Sequence, residues 1–168
     1  VTGKRYHMHK AEREIKDRGL LLDILRRGRY MTIALCSGDE PYIVTLSYGF
    51  HEESSTLYFH SALKGMKLDI IRENPGACGT VIEDLGYIHG ECSHSYRSVV
   101  VYGSMVEVLD PAEKKLGIMT MIEHLERDPH AVKEKLLGKD IDYSGFSVLK
   151  LLIDHKTGKG SPPKQGSE

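Results

Sequence analysis

The sequence predicts a mainly β domain in which an antiparallel sheet curls into a small barrel with peripheral helices, and three observations predict it. Apolar and polar residues alternate through PYIVTLSYGF and LYFH, the period of strands whose two sides meet different surroundings. Polar turns, GDEP at 38–41 and HEESST at 51–56, separate the early strands as hairpins require. The order that results, β-β-β-α-β-β-α-α-β, has hairpin-length links at its start, which favours antiparallel neighbours.

Each element has its own signal. Asp17 can cap a helix running to about Arg27, with Leu20, Leu21, Ile24 and Leu25 on one stripe and Gly28 as its stop. Tyr30 to Ser37 and Tyr42 to Phe50 read as the two strands of a hairpin, and Leu57 to Ser61 as the next strand. A short helix from about Gly65 to Glu73 ends at Asn74-Pro75, because proline disfavours helical geometry in its predecessor. Strands follow at Ala77 to Glu83 and at Arg97 to Val108, with Gly103 as the corner of the longer one. Asp110-Pro-Ala-Glu113 opens a helix carrying Ile118, Met121, Ile122 and Leu125, and Pro129 to Leu137 gives another. Phe146 to Asp154 is the last strand, and GKGSPPKQGSE (158–168) reads as disordered.

Composition narrows the setting. At 168 residues and 40% hydrophobic content the chain suits one domain, able to bury roughly two thirds of its unfolded surface. Its longest apolar runs are too short for a bilayer and no secretory h-region opens it, so a soluble cytoplasmic protein is expected. Cys36, Cys78 and Cys92 form no CxxC pair, so reduced thiols are expected. Residues 1–29 hold nine Lys/Arg against four Asp/Glu, a basic arm on a chain of net charge −1. With no interleaved aromatics and an acidic body, that arm reads as solvated and not as a nucleic-acid surface.

The strand faces point to a site. In PYIVTLSYGF one side carries Tyr42, Val44, Leu46, Tyr48 and Phe50 and should fill the barrel. The other carries Ile43, Thr45, Ser47 and Gly49, a shallow shelf able to hydrogen-bond, with Tyr58 and His60 expected beside it. After His60 the chain turns through Ser61 and Ala62 into a helix whose first amides lack intrahelical partners, with Lys64 and Lys67 at the same end. That corner can hold an anion, and a phosphorylated aromatic cofactor fits a shelf joined to it. SYRSVVVYG (95–103) is apolar on both sides through Val99 to Tyr102, so one side needs a partner, and a second copy of the chain is expected there.

Taken in order, LSYGF, LYFHSALKGMK, NPGACGTV, SYRSVVVYGSMVEV and SVLKLLIDHKTGK resemble the nitroimidazole-resistance (Nim-type) branch of the FMN-binding split-barrel flavoproteins, relatives of pyridoxamine-5′-phosphate oxidase. The resemblance covers roughly residues 10–160. It implies a six-stranded antiparallel split β-barrel of Greek-key topology, a homodimer with FMN at the interface, and electron transfer through the flavin. The implied organisation is a basic arm over 1–16, an FMN-binding domain over 17–155 and a flexible tail over 156–168. Thr45, Leu46 and Ser47 match the strand along the isoalloxazine ring, and Ser61, Ala62 and Lys67 the phosphate grip. His60 matches the histidine beside the flavin and is the implied catalytic residue. Arg97, Ser98 and Val99 match the strand supplied by the second subunit. No aromatic residue follows TGK here, and the chain has no tryptophan, so true pyridoxamine-phosphate oxidase activity is not expected.

The resulting expectation is an FMN-dependent oxidoreductase acting on nitroimidazole-like or other small electron acceptors, with a reductant such as a nicotinamide nucleotide. Its rival is a non-catalytic flavin, haem or deazaflavin binding protein of the same fold. HGECSH (89–94) contains metal-ligating residue types, but its spacing matches no closed site, so a loop bordering the cofactor is expected and no metal. His7, His9, His124 and His130 read as surface residues.

Overall fold

The structure is a computed structural model that describes residues 9–137 and 145–161. Residues 1–8 of the basic arm, with His7, and 162–168 of the tail lie outside the described residues. Helix α1 (Arg18–Arg27) begins where the Asp17 carboxylate accepts the amides of Gly19 (2.8 Å) and Leu20 (3.4 Å), and it buries Leu21, Ile24 and Leu25. Six strands follow: β1 (Tyr30–Ser37), β2 (Glu40–His51), β3 (Thr56–Ser61), β4 (Gly76–Ile88), β5 (Ser93–Glu107) and β6 (Ser147–Ser161). Helix α2 (Met66–Glu73) joins β3 to β4, while α3 (Pro111–Leu125) and α4 (Pro129–Leu137) lie between β5 and β6.

The strands close into a ring in the order β1-β2-β3-β6-β5-β4, every ladder antiparallel. Because β4 returns to lie beside β1, the order β4-β1-β2-β3 is the Greek key. Met31, Ile33, Leu35, Tyr48, Leu57, Phe59, Val99, Val101, Leu149 and Leu151 are buried inside it. Tyr42, Val44, Leu46 and Phe50 pack partly buried against them, as the alternation in β2 requires.

The outer side of the ring is covered in one place by α3. Asp110 caps this helix, accepting the Glu113 amide at 2.8 Å, and Pro111 occupies its first turn. The helix crosses β2 at Gly49, where a Cβ would stand 2.5 Å from the Met121 nitrogen, so only glycine admits it. Tyr58 was expected in the open beside the shelf; it does point outward, but α3 buries it in a second cluster with Val108, Met121 and Val148. Burial, with Glu113 adding charge and a hydrogen bond, pushes its phenol pKa up to about 12.

Three strands run further than the sequence signals reached. The β4–β5 hairpin extends to Ile88 and Ser93, so Ser93 and His94 of HGECSH belong to a strand. The other extension is β6, which continues through Ser161 instead of ending near Asp154. Its glycines explain why: at Gly158 a Cβ would meet Leu21 at 2.2 Å and Ile15 at 3.0 Å, so the chain before α1 packs directly on this strand. The amide of Ile15 donates to the Gly158 carbonyl at 3.0 Å, and Glu14 forms a bridge with Lys159. Gly103 marks a register shift between β5 and β6, the corner expected of it. Among the described residues, no helix is long and apolar enough to cross a membrane.

Candidate functional site

The ring has a seam. Strand β2 pairs with β1 over its first eight residues, from Ser37↔Glu40 to Tyr30↔Ser47, and with β3 only over its last four, from His51↔Thr56 to Tyr48↔Phe59. Past Tyr48 the two strands part. Thr45 and Ser47 stay with β1, while His60 and Ser61 pair with Val148 and Ser147 of β6.

On the β2 side, Ile43, Thr45 and Ser47 are exposed, with Thr45 and Thr32 hydroxyls sharing a hydrogen bond of 3.0 Å. Leu46 faces the barrel, so only its backbone can meet a ligand lying on this shelf. On the β3 side, His60 is exposed and its ring lies 5.0 Å from that of Phe146, inclined by 43°. Ser61 is 3% exposed and its hydroxyl donates to the Ala62 carbonyl at 3.1 Å. Ala62 and Lys64 are exposed, and Lys67 is half-buried with no carboxylate partner among the described residues.

Helix α2 starts without a side-chain cap; the Leu68 amide turns back to the Gly65 carbonyl at 2.8 Å, and the Met66 and Lys67 amides before it have no acceptor among the described residues. Gly65 precedes it at φ 142°, a conformation only glycine adopts readily, and no atom lies within 4 Å of where its Cβ would be. A small anion therefore has open access to the backbone beside Lys67. These observations fit a phosphate group, whose charge the lysine and the amides would share.

The β5 residues lie elsewhere. Ser98 donates to the Lys159 carbonyl at 3.2 Å on the outer side of the sheet. Within one copy it stands three strands from Ser47, roughly 14 Å away at ordinary strand spacing. Arg97 and Val99 point to the opposite side: Val99 is fully buried, and Arg97 Nε pairs with Glu83 at 3.2 Å. Glu83 also meets Arg27 at 3.5 Å, and Arg27 binds Asp23. The structure thus puts Thr45 and Ser47 on one strand bordering the seam and His60 and Ser61 on the other, with Ala62 and Lys67 following β3 in the chain, and Arg97, Ser98 and Val99 on β5.

Two surface hollows lie away from the seam. One, of about 450 Å³, is lined by Arg26, Phe50, His51, Glu52, Glu53, Thr120, Glu123 and His124; Arg26 is already held by Glu52 at 2.7 Å. His124, expected at the surface, is half-buried and its Nε2 lies 2.6 Å from the Gly28 carbonyl. Burial holds this imidazole below its usual range, with Arg29 acting the same way and the Gly28 bond opposing. The other hollow, of about 240 Å³, lies between Arg27, Arg29, Tyr30, Ile82 and Glu83. In the β4–β5 hairpin, His94 pairs with Asp84 at 2.8 Å, and Tyr87 packs on His89 at 5.3 Å. Among the described residues no group of three or more His, Cys, Asp or Glu side chains is placed to hold a metal ion.

Sequence reasoning missed two features. Phe146, beside His60, carries no signal in its own neighbourhood, because the pairing of β6 with β3 sets it there. The other is a pair of adjacent uncharged rows on the outer surface of four strands. Thr45, Thr32, Thr80 and Val100 form one row across β2, β1, β4 and β5, and Ile43, Ala34, Cys78 and Tyr102 form the next. Tyr30, Ile43 and Ile82 are 65%, 69% and 64% exposed there, a contiguous apolar area that asks for a cover.

Residues 17–159 match the sequence profile of a family described as pyridoxamine 5′-phosphate oxidase. No curated protein matches the chain. Several solved structures share its fold. A candidate 5-nitroimidazole antibiotic resistance protein from Bacteroides thetaiotaomicron is 22% identical, with a TM-score of 0.68 over 92% of this chain and 95% of that one. An FAD-binding protein from Mesorhizobium loti is 24% identical, with a TM-score of 0.63 over 89% and 97%. An FAD- and haem-binding protein from Mycobacterium smegmatis is 19% identical, with a TM-score of 0.70 over 93% and 77%.

Proposed function

The chain belongs to the pyridoxamine 5′-phosphate oxidase family, and from that membership we propose a homodimeric, FMN-dependent oxidoreductase that reduces nitroimidazole-like or other small electron acceptors. One observation supports the reading: β2 and β3 part after Tyr48↔Phe59, with exposed Thr45 and Ser47 on one strand, exposed His60 on the other, and Lys67 in the first turn of a helix that has no side-chain cap. FMN supplies the redox chemistry when bound. The first amides of α2 and Lys67 would hold its phosphate, joined by Ser61 once its hydroxyl turns from the Ala62 carbonyl, and the β2 strand from Thr45 to Ser47 would support its ring. His60, held beside Phe146, is the proton donor to the acceptor as it takes electrons.

A second copy covers the two uncharged rows on the outer surface of β2, β1, β4 and β5, in a chain where 28% of residues are charged. It brings its own Ser98 and the strand around it to the flavin, which the Ser98 of the same copy, three strands off, does not reach.

An absorbance spectrum of the purified protein, before and after incubation with FMN, tests the cofactor; protein that stays colourless through both defeats the reading. Lys67→Ala is expected to weaken FMN binding about tenfold, the loss of one charge-assisted contact. An unchanged dissociation constant would remove the lysine from the grip. His60→Ala is expected to lower reductase turnover by roughly 10²-fold, the lower end of general acid catalysis, with flavin content and dimer intact. Wild-type turnover in that variant would exclude the imidazole from the reaction. The neighbours that bind FAD and haem support a second reading, a carrier that takes up such a group without turnover. Steady-state assays with nicotinamide nucleotides and nitroaromatic or quinone acceptors separate the two.

A further inference from the structure

Resting on the flavin reading, we propose that Glu107 is a positioning residue for the phosphate grip: its carboxylate ties the strand pair that carries Ser61 to the helix that carries Lys67. The geometry is that of a clasp. Ser147 Oγ donates to Glu107 Oε1 at 2.7 Å, and Arg72 Nη2 donates to Glu107 Oε2 at 2.8 Å. Ser147 is fully buried and is the cross-strand partner of Ser61, itself 3% exposed. Arg72 lies near the end of α2, and Lys67 in its first turn.

One carboxylate therefore spans both halves of the grip. At the same end of α2 as Arg72, Ser37 donates to Glu73 at 3.0 Å and the Asn74 side chain donates to the Cys36 carbonyl at 3.0 Å. Neither of those reaches β3 or β6. The Ser147 and Arg72 bonds hold the Glu107 carboxyl below its ordinary range against an opposing cost of burial, so the clasp is ionised at neutral pH.

Glu107 acts through Ser147 and Arg72 and not on the ligand, so the test must separate position from stability. Apo protein is titrated with FMN and, separately, with riboflavin, which has the same ring and no phosphate. Wild type is expected to prefer FMN by at least about tenfold. In Glu107→Gln that preference is expected to fall about tenfold while riboflavin affinity stays at the wild-type value. Arg72→Gln removes the same ion pair from the helix side, where the side chain is 53% exposed, and should reproduce the loss if the first variant folds poorly. Both variants keeping the wild-type FMN-to-riboflavin ratio would overturn the proposal and leave the flavin reading standing. Parallel losses of both ligands would overturn it as well, since they mark a general loss of stability. A wild type that binds the two ligands equally defeats the phosphate site itself, and the clasp with it.

Discussion

Gly103→Ala is expected to destabilise the domain by about 3 kcal/mol or more, the upper end for forced overpacking. A Cβ at this position would stand 1.8 Å from the Leu152 carbonyl oxygen and 2.9 Å from its carbon. Both are backbone atoms of the neighbouring strand, so no side-chain rotation relieves the overlap. Relief requires β5 and β6 to separate at their register shift, where Tyr102 faces His155, Gly103 faces Ile153 and Asp154 is the extra residue. These two strands close one side of the ring, and Met105 and Leu151 beside the corner are fully buried. For a domain of this size, 3 kcal/mol lowers the melting temperature by roughly 6–12 °C. Gly145→Ala, where no atom of the described residues lies within 4 Å of the new Cβ, provides the comparison and should fall within about 0.5 kcal/mol of wild type. Equal urea midpoints for the two variants would mean that β5 and β6 do not meet in this register.

Ile82→Glu is expected to leave the fold intact, convert the protein to monomers and abolish FMN retention. Ile82 is 64% exposed in the single copy, so a charge there stays in water and costs the monomer little. Buried between copies, it faces rows of threonine, alanine, valine, cysteine and tyrosine, and the two cations that share a hollow with it are already engaged, Arg27 by Asp23 and Glu83 and Arg29 by the Leu125 carbonyl. A symmetric interface repeats the error on both subunits. An unpaired buried charge costs roughly 3–5 kcal/mol, so dimer affinity should drop at least about a hundredfold. Sedimentation of wild type and variant at matched concentration reads this directly, with flavin content measured on the same fractions. A variant that sediments with wild type and keeps its flavin would place the interface elsewhere.

Much of this was legible in the chain. Alternation in PYIVTLSYGF separates Tyr48 from Ser47 without any structure, because a strand allows only two sides. Caps at Asp17 and Asp110 announce two helices, since a carboxylate before an apolar stripe has a local use. Contacts distant in sequence were not legible. Tyr58 looks open until α3, which starts more than fifty residues later, crosses at Gly49. Gly158 and Gly160 resemble a loose tail until Ile15 and Leu21 are seen resting on the strand they belong to. Of the candidate site, the hydroxyls, the lysine and the imidazole could be found from spacing. Glu107, Ser147 and Arg72 could not, because only β5–β6 pairing and the return of α2 bring them together.

The parting of β2 from β3 has a further effect on the chain's own peptide groups. In an antiparallel ladder every second residue turns its N–H and C=O toward the same neighbour. Between residues 41 and 47 the groups that turn away from β1 meet no facing strand, so they form a polar hem along one side of the cylinder. Bare, such a hem is served by solvent. A flat heterocycle edged with alternating donors and acceptors could take the place of the missing strand there, and the backbone would then read its rim whatever side chains lay alongside.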